Sequence, residues 1–368
     1  MISGETISNV TGKALIMSIM GNLCDTKSQK ISPHFFVDLY NKDINQISFV
    51  LNSIRTSLGT FWEVIAEEFA KLKDYDVMTK SEFKKARNLP PEIKIEMQNM
   101  IDQRLSGDDR SILDYCESLD EMYKNKPVDG GTISWESGEG VDLYFKKEDK
   151  YFIFDVKTVQ INSGSGNKFD QQLIKWLTNK KHQLRGTISA KNITVGYIFP
   201  YNSKAGGDRT SHEEWMQDQG SKAKPMTEKE IYAANKFWKF ITENPNALLN
   251  IFAGIEKALE GNSIVKKNLD KFFVEGVMTP DELDSLAEEA TKDFAKYLYE
   301  VDFESKNEKW HFWSHRKDDG KCTFKKSINA ICKNADGAKD RIGLERYQKG
   351  FNKCPKCKDE FIMRQNDN

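Results

Sequence analysis

The sequence has no apolar run approaching the length of a membrane span, which for a helix is about 20 residues. Its first residues do not carry a basic flank, an apolar stretch and a small-residue cleavage site in succession, so the expectation is a soluble cytoplasmic protein with no membrane association. Cysteine is scarce, with six residues in 368, and Cys24 and Cys116 stand far from the other four. That placement excludes the disulfide framework of a small secreted domain. Net charge is nearly absent, at −1, so any attraction to nucleic acid has to come from local charge. No internal repeat is present.

What the chain does have is aromatic bulk and unevenly spread charge. The hydrophobic fraction of 38% is low for a very large core, yet 22 Phe, 12 Tyr and 7 Trp supply apolar area, and the length suits a catalytic domain of about 200 to 250 residues with smaller additions. Residues 306–358 hold 15 Lys and Arg against 6 Asp and Glu, a local charge of about +9, and the remainder is acidic by about 10 charges. The basic stretch suits contact with phosphates, or is a solvated surface.

Apolar residues recur at helical spacing in 44–58, 61–72 and 93–101, so residues 1–125 read as a mainly helical region, interrupted at Leu89-Pro90-Pro91. Residues 126–202 change to short strands at 141–147, 151–159 and 193–201 with one helix at 169–181, the pattern of an α/β core. Residues 203–300 read as a polar loop and helical region: 202–227 lack periodicity, and helices are expected over 228–299, one of them started by Thr279 before Pro280. Residues 301–368 form a basic, aromatic, Cys/His-containing C-terminal module.

The chemistry concentrates in two adjacent runs, Val141-Asp142-Leu143-Tyr144-Phe145 and Tyr151-Phe152-Ile153-Phe154-Asp155-Val156-Lys157. Strand alternation sends Asp155 and Lys157 to one face and Phe154 and Val156 to the other. If Glu148-Asp149 make a two-residue turn, residue i pairs with residue 297 minus i, and Asp142 lies across from Asp155 with Cβ atoms about 4.5–5.5 Å apart. A longer loop would shift that register. Two carboxylates so close destabilise a sheet unless a cation lies between them, and Mg2+ suits the place because it takes few carboxylate oxygens and meets substrate phosphate with the rest.

These residues resemble the PD-(D/E)XK nuclease superfamily, and within it the type II restriction endonucleases, over about residues 55–201. The matching positions are Asp142, Asp155 and Lys157, with Val141 standing where many members have Pro. The string Phe154-Asp155-Val156-Lys157-Thr158-Val159-Gln160, followed by Asn162 and Gly164, is similar to restriction enzymes more than to repair nucleases. The resemblance implies a restriction-endonuclease-like core, a mixed β-sheet flanked by helices, that cuts double-stranded DNA at a short specific sequence with Mg2+. It also implies a metal held by Asp142 and Asp155, Lys157 acting on the attacking water, and a Glu from the first core helix, for which Glu63 is the candidate and Glu67 the substitute. Thr60 and Glu63 are equally spaced for a capping box at that helix's start.

Gln160, Asn162 and Asn167 lie in a polar loop suited to approaching a phosphate backbone, or to serving as a plain connector, and Lys175 lies on the polar face of the next helix. Near the C-terminus Cys354-Pro355-Lys356-Cys357 is half of a structural zinc site, with Cys322 and Cys332 as the simplest partners and His311 and His315 competing. The alternative is reduced thiols in a helical tail. The expected partner is DNA, met as a homodimer on a palindromic site, with a cognate methyltransferase in the same system. The same residues would also suit a repair or mobile-element nuclease on this core, or a zinc-dependent DNA-binding adaptor with a degenerate core.

Overall fold

The structure is a computed structural model that describes residues 1–25, 59–107, 110–124, 131–158, 161–162, 164–184, 188–260 and 263–274. Beyond these it describes short helical stretches between 285 and 297 and five strands between 310 and 365. The chain divides into two compact units, one of residues 1–11 with 62–254 and one of residues 12–61 with 255–368.

The helix α1 (Gly4–Asp25) runs from the first unit into the second, as does α2 (residues 59–72) in the reverse direction. The first unit is built on a five-stranded sheet. In chain order it contains β1 (Asp76–Met78), the small β2 (Lys85–Ala86), α3 (Pro91–Leu105), α4 (Ile112–Tyr123) and β3 (Thr132–Ile133). These are followed by β4 (Leu143–Lys147), β5 (Lys150–Val156), α5 (Ser165–Gln183), β6 (Ile193–Phe199), α6 (His212–Ala223), β7 (Ile231–Ala233) and α7 (Asn235–Thr242). The main sheet has the order β1-β4-β5-β6-β7, while β2 and β3 pair with each other. β1, β4 and β5 are antiparallel neighbours; β5, β6 and β7 are parallel. A mixed five-stranded sheet with helices on both faces is the expected restriction-endonuclease-like core.

Alternation along the strands separates two apolar layers. Tyr144, Tyr151, Ile153, Val195 and Tyr197 join a core with Leu173, Ile174 and Trp176 of α5, Ile93 and Met100 of α3, and Leu119 of α4. Phe145, Phe152 and Phe154 face the other way, against Tyr75, Tyr232, Phe237 and Phe240. α5 packs tightly on the end of α6: a Cβ at Gly166 would lie 2.3 Å from the Lys224 carbonyl oxygen.

Several elements depart from expectation. The helical reading of 1–125 misses β1 and β2, and the stretch 202–227, expected as a long loop, contains α6. Its helix opens at a Ser211 cap whose side chain accepts from the Glu214 N–H, but it buries few apolar residues, Trp215 and Ala223 among them, so its periodicity is faint. The helical reading of 228–299 begins with β7, a strand of three residues. Thr60 is not a helix cap, because α2 is already helical at residue 59.

The second unit contains α9 (Ile264–Val274), following α8 (Ala247–Leu259), which starts in the first unit. It also holds the strands β8 (Trp310–Ser314), β9 (Cys322–Lys325), β10 (Ala330–Asn334), β11 (Lys339–Ile342) and β12 (Phe361–Gln365). They form a three-stranded sheet β11-β10-β9 and a two-stranded sheet β12-β8, so the described part of the C-terminal module is strand and not a helical tail. No described helix is long and apolar enough to cross a membrane.

Candidate active site

The β4–β5 hairpin turns through Glu148 and Asp149, with Glu148 in the left-handed region at φ 54°. Pairing runs from Lys147 with Lys150 to Leu143 with Phe154, the register expected for a two-residue turn. Asp142 is one residue past this ladder and level with Asp155. Its N–H donates to the Phe154 carbonyl at 3.0 Å, and its Oδ2 accepts from the Val156 N–H at 2.9 Å, so it is tied to the backbone on both sides of Asp155. The carboxyl groups of Asp142 and Asp155 are set against each other, and each acts on the other's titration.

The approach to Asp142 is held from α5. Glu139 sits in a turn closed by its N–H to the Glu136 carbonyl, and its own carbonyl accepts from Gln172 Nε2 at 2.7 Å and Trp176 Nε1 at 2.9 Å. Lys175 reaches the Glu139 carboxylate at 3.7 Å, so the polar face of α5 does point at the segment leading into the hairpin.

Lys157 follows β5 by one residue. Its N–H donates to the Ile198 carbonyl, and its ammonium forms an ion pair with Asp155. It lies 6.0 Å from the ring centre of Phe169 and 5.9 Å from that of Tyr197, so aromatic walls border the cation.

Glu63 comes from α2, and its Oε2 accepts from Lys80 Nζ at 2.6 Å. Lys80 also reaches Asp142 Oδ1 at 3.4 Å. Its place follows from β1: Asp76 pairs with Lys146 and Met78 with Tyr144, so carrying the register two residues further brings Lys80 level with Asp142. The turn that holds it is closed by Thr79, whose N–H and hydroxyl both donate to Glu82 Oε2. Lys80 carried no motif in the sequence, and β1 is too short for strand alternation to reveal it.

The electrostatics follow from this crowding. Burial, and then the Asp142 carboxylate set against it, push the Asp155 carboxyl well above the usual carboxylate range. Burial acts on Asp142 in the same sense but is outweighed: the Asp155 carboxyl and the hydrogen bond from the Val156 N–H, with the charges of Lys80 and Lys157, hold it below that range. Burial raises Glu63, with Lys80 partly opposing. Lys80 is raised because its bonds to Glu63 and the charges around it outweigh its partial burial.

The donor set fits a hard divalent cation. Magnesium needs only one or two carboxylates and keeps sites for water and phosphate, and two carboxyl groups level with each other across the hairpin, one of them held protonated, are a place where a cation replaces a proton. Among the described residues no group of three or more His, Cys, Asp or Glu could hold a metal unaided, so water and substrate oxygens would complete the shell.

Of the other expected site residues, Asn162 and Asn167 are exposed around the start of α5, and the Asn162 carbonyl accepts from the Ser165 N–H. Glu67 is half-buried one turn along α2 from Glu63. Gln160, Cys354, Cys357 and His315 lie outside the described residues. Cys322 opens β9 and Cys332 lies in β10, where the pairing of Cys322 with Asn334 sets the two cysteines two register positions apart on neighbouring strands. His311 lies in β8.

Residues 5–257 match the model of a protein family described as "Type II restriction endonuclease, HinfI". No curated protein and no solved structure matches the chain.

Proposed function

Because the chain belongs to the HinfI family of type II restriction endonucleases, of the PD-(D/E)XK kind, we propose that it hydrolyses double-stranded DNA at a short specific sequence with Mg2+, using Asp142, Asp155 and Lys157. The observation that carries this reading is the register of the β4–β5 hairpin, which sets Asp142 against Asp155 with Lys157 ion-paired beside them.

A bound Mg2+ ion supplies Lewis acidity, polarising a phosphoryl oxygen and lowering the pKa of water. Asp142 and Asp155 bind the ion, and Asp142 is kept in place by the Val156 N–H. Lys157 orients the attacking water and offsets negative charge as it develops at phosphorus. A bond forms from the water oxygen to phosphorus while the bond from phosphorus to the leaving sugar oxygen breaks; the proton lost by the water passes to solvent, and the leaving oxygen takes one from solvent to become a hydroxyl. Glu63 holds Lys80 at the edge of the site. Gln160, Asn162, Asn167 and Lys175 are read as residues near the phosphate backbone, supported by their place before and along α5. A homodimer would match the two-fold symmetry of a palindromic target. The cysteine spacing near the C-terminus supports a structural zinc ion on Cys322, Cys332, Cys354 and Cys357, on which the proposed chemistry does not depend.

Plasmid digestion tests the reading. Purified protein with Mg2+ should give discrete bands and chelator should give none, while Asp155→Ala and Lys157→Ala should each lower single-turnover cleavage by at least about 10²–10³-fold with DNA binding retained. Discrete bands from either variant at the parent's rate would overturn the assignment.

A further inference from the structure

Asp142 uses its two oxygens differently. Oδ2 is turned to the Val156 N–H, inside the hairpin, while Oδ1 faces Lys80 at 3.4 Å. Lys80 in turn lies 2.6 Å from Glu63 Oε2. The side chains of Glu63 and Asp142 are 17% and 25% exposed and that of Lys80 is 51% exposed, so the lysine reaches from solvent into a recessed carboxylate pair. In two-metal nucleases the ions lie about 3.5–4 Å apart, close enough to share a carboxylate. Here Asp142 would be the shared group and Glu63 the further ligand. The ammonium of Lys80 already occupies the space between them.

We propose that Lys80 takes the place of a second metal ion, a built-in cation between Glu63 and Asp142 that limits the active site to one divalent ion, held at Asp142 and Asp155. This rests on the reading of Asp142 and Asp155 as the metal-binding pair. Charge argues the same way as space. Once a metal ion has displaced the Asp155 proton, the carboxylates of Glu63, Asp142 and Asp155 and the ammonium groups of Lys80 and Lys157 sum to one negative charge. One divalent ion turns that into one positive charge, and a second would leave three in a partly buried site. Lys80 acts here as a positioning residue: it keeps Glu63 and Asp142 apart as a metal would, and it is fixed by the Thr79–Glu82 turn without drawing an ion from solution.

Manganese serves as a probe because it accepts carboxylate ligands as magnesium does, and free Mn2+ can be counted by its paramagnetic resonance signal. The measurement uses the full chain without DNA, so no turnover is involved. The parent should bind one Mn2+ per chain, Lys80→Met two, and Lys80→Arg, which keeps the cation, one. Two ions per chain in the parent, or Lys80→Met matching the parent in both number and affinity, would overturn the proposal while leaving the Asp142–Asp155 pair intact. Asp155→Asn separates the two failures: if it binds as much Mn2+ as the parent, the metal-binding pair itself is wrong and this inference falls with it. Because the parent's count alone can overturn the idea, it does not depend on Lys80→Met folding.

Discussion

Asp155 carries its carboxyl in surroundings that oppose its charge, on an apolar strand with a second carboxylate against it. An unfolded Asp titrates near 4, whereas burial and then Asp142 push folded Asp155 up to about 8. Between those values the metal-free fold keeps a proton that the unfolded chain has lost. Its contribution to stability is therefore full below about 4 and is lost as pH rises through about 8. Asp142, held low, has the opposite sign, its contribution lost only as pH falls through its folded value. Burial likewise lowers His212, whose contribution is lost on acidification. In chelator, the thermal midpoint of the parent should fall from pH 6.5 to pH 8.5 by more than about 2–4 °C, the shift that ~1 kcal/mol makes in a domain of this size. Asp155→Asn, which cannot ionise, should flatten this fall. Parallel midpoint curves for the two proteins at constant ionic strength would show that Asp155 is not protonated in the fold.

At the scale of elements, the site depends on how α3 and α5 are locked together. Arg104 of α3 donates from Nε and Nη2 to the Asp170 carboxylate of α5, at 2.6 Å for the shortest bond, and from Nη2 to the Pro225 carbonyl ahead of β7. Both side chains are almost fully buried, at 3% and 1% exposed. Arg104→Leu would leave Asp170 buried without its partner, at a cost of about 3–5 kcal/mol. Asp170→Asn, which removes that stranded charge, should restore part of the loss when combined with Arg104→Leu. Urea unfolding of the parent, both single variants and the double variant measures this, and strictly additive losses would count against the pair. The sequence made these elements legible to different degrees. The hairpin register could be read because alternation and turn length act over the same few residues. α5 was visible from Leu173, Trp176 and Leu177, but neither the Asp170 partner nor Lys80 could be found, since both depend on elements brought together from distant positions. β1 and β7 have three residues each, too few for a period of two to register, and both are defined by the neighbours they pair with.

For the whole molecule the question is how a chain with a net charge of −1 holds a polyanion. The residues outside 306–358 are acidic by about 10 charges, and the proposed site itself contributes carboxylates. Long-range attraction to phosphate must then come mainly from the basic stretch, whose 15 Lys and Arg include Lys325 of β9, Lys333 of β10 and Lys339 of β11. Releasing counterions from phosphates makes the logarithm of affinity fall linearly with the logarithm of salt, with a slope of about −0.9 per phosphate neutralised. Changing these three lysines together to Gln should therefore make the slope shallower by up to about 1 for each phosphate no longer neutralised, and weaken binding to all sequences alike. Cleavage of bound DNA should be unchanged, because Asp142, Asp155 and Lys157 belong to the other compact unit. The measurement is a salt series of gel shifts in Ca2+, on one cognate and one unrelated duplex, followed by single-turnover cleavage in Mg2+ at saturating protein. An unchanged slope would place the phosphate-binding residues elsewhere, and a slope that changed only on the cognate duplex would mean that these lysines read bases instead of backbone.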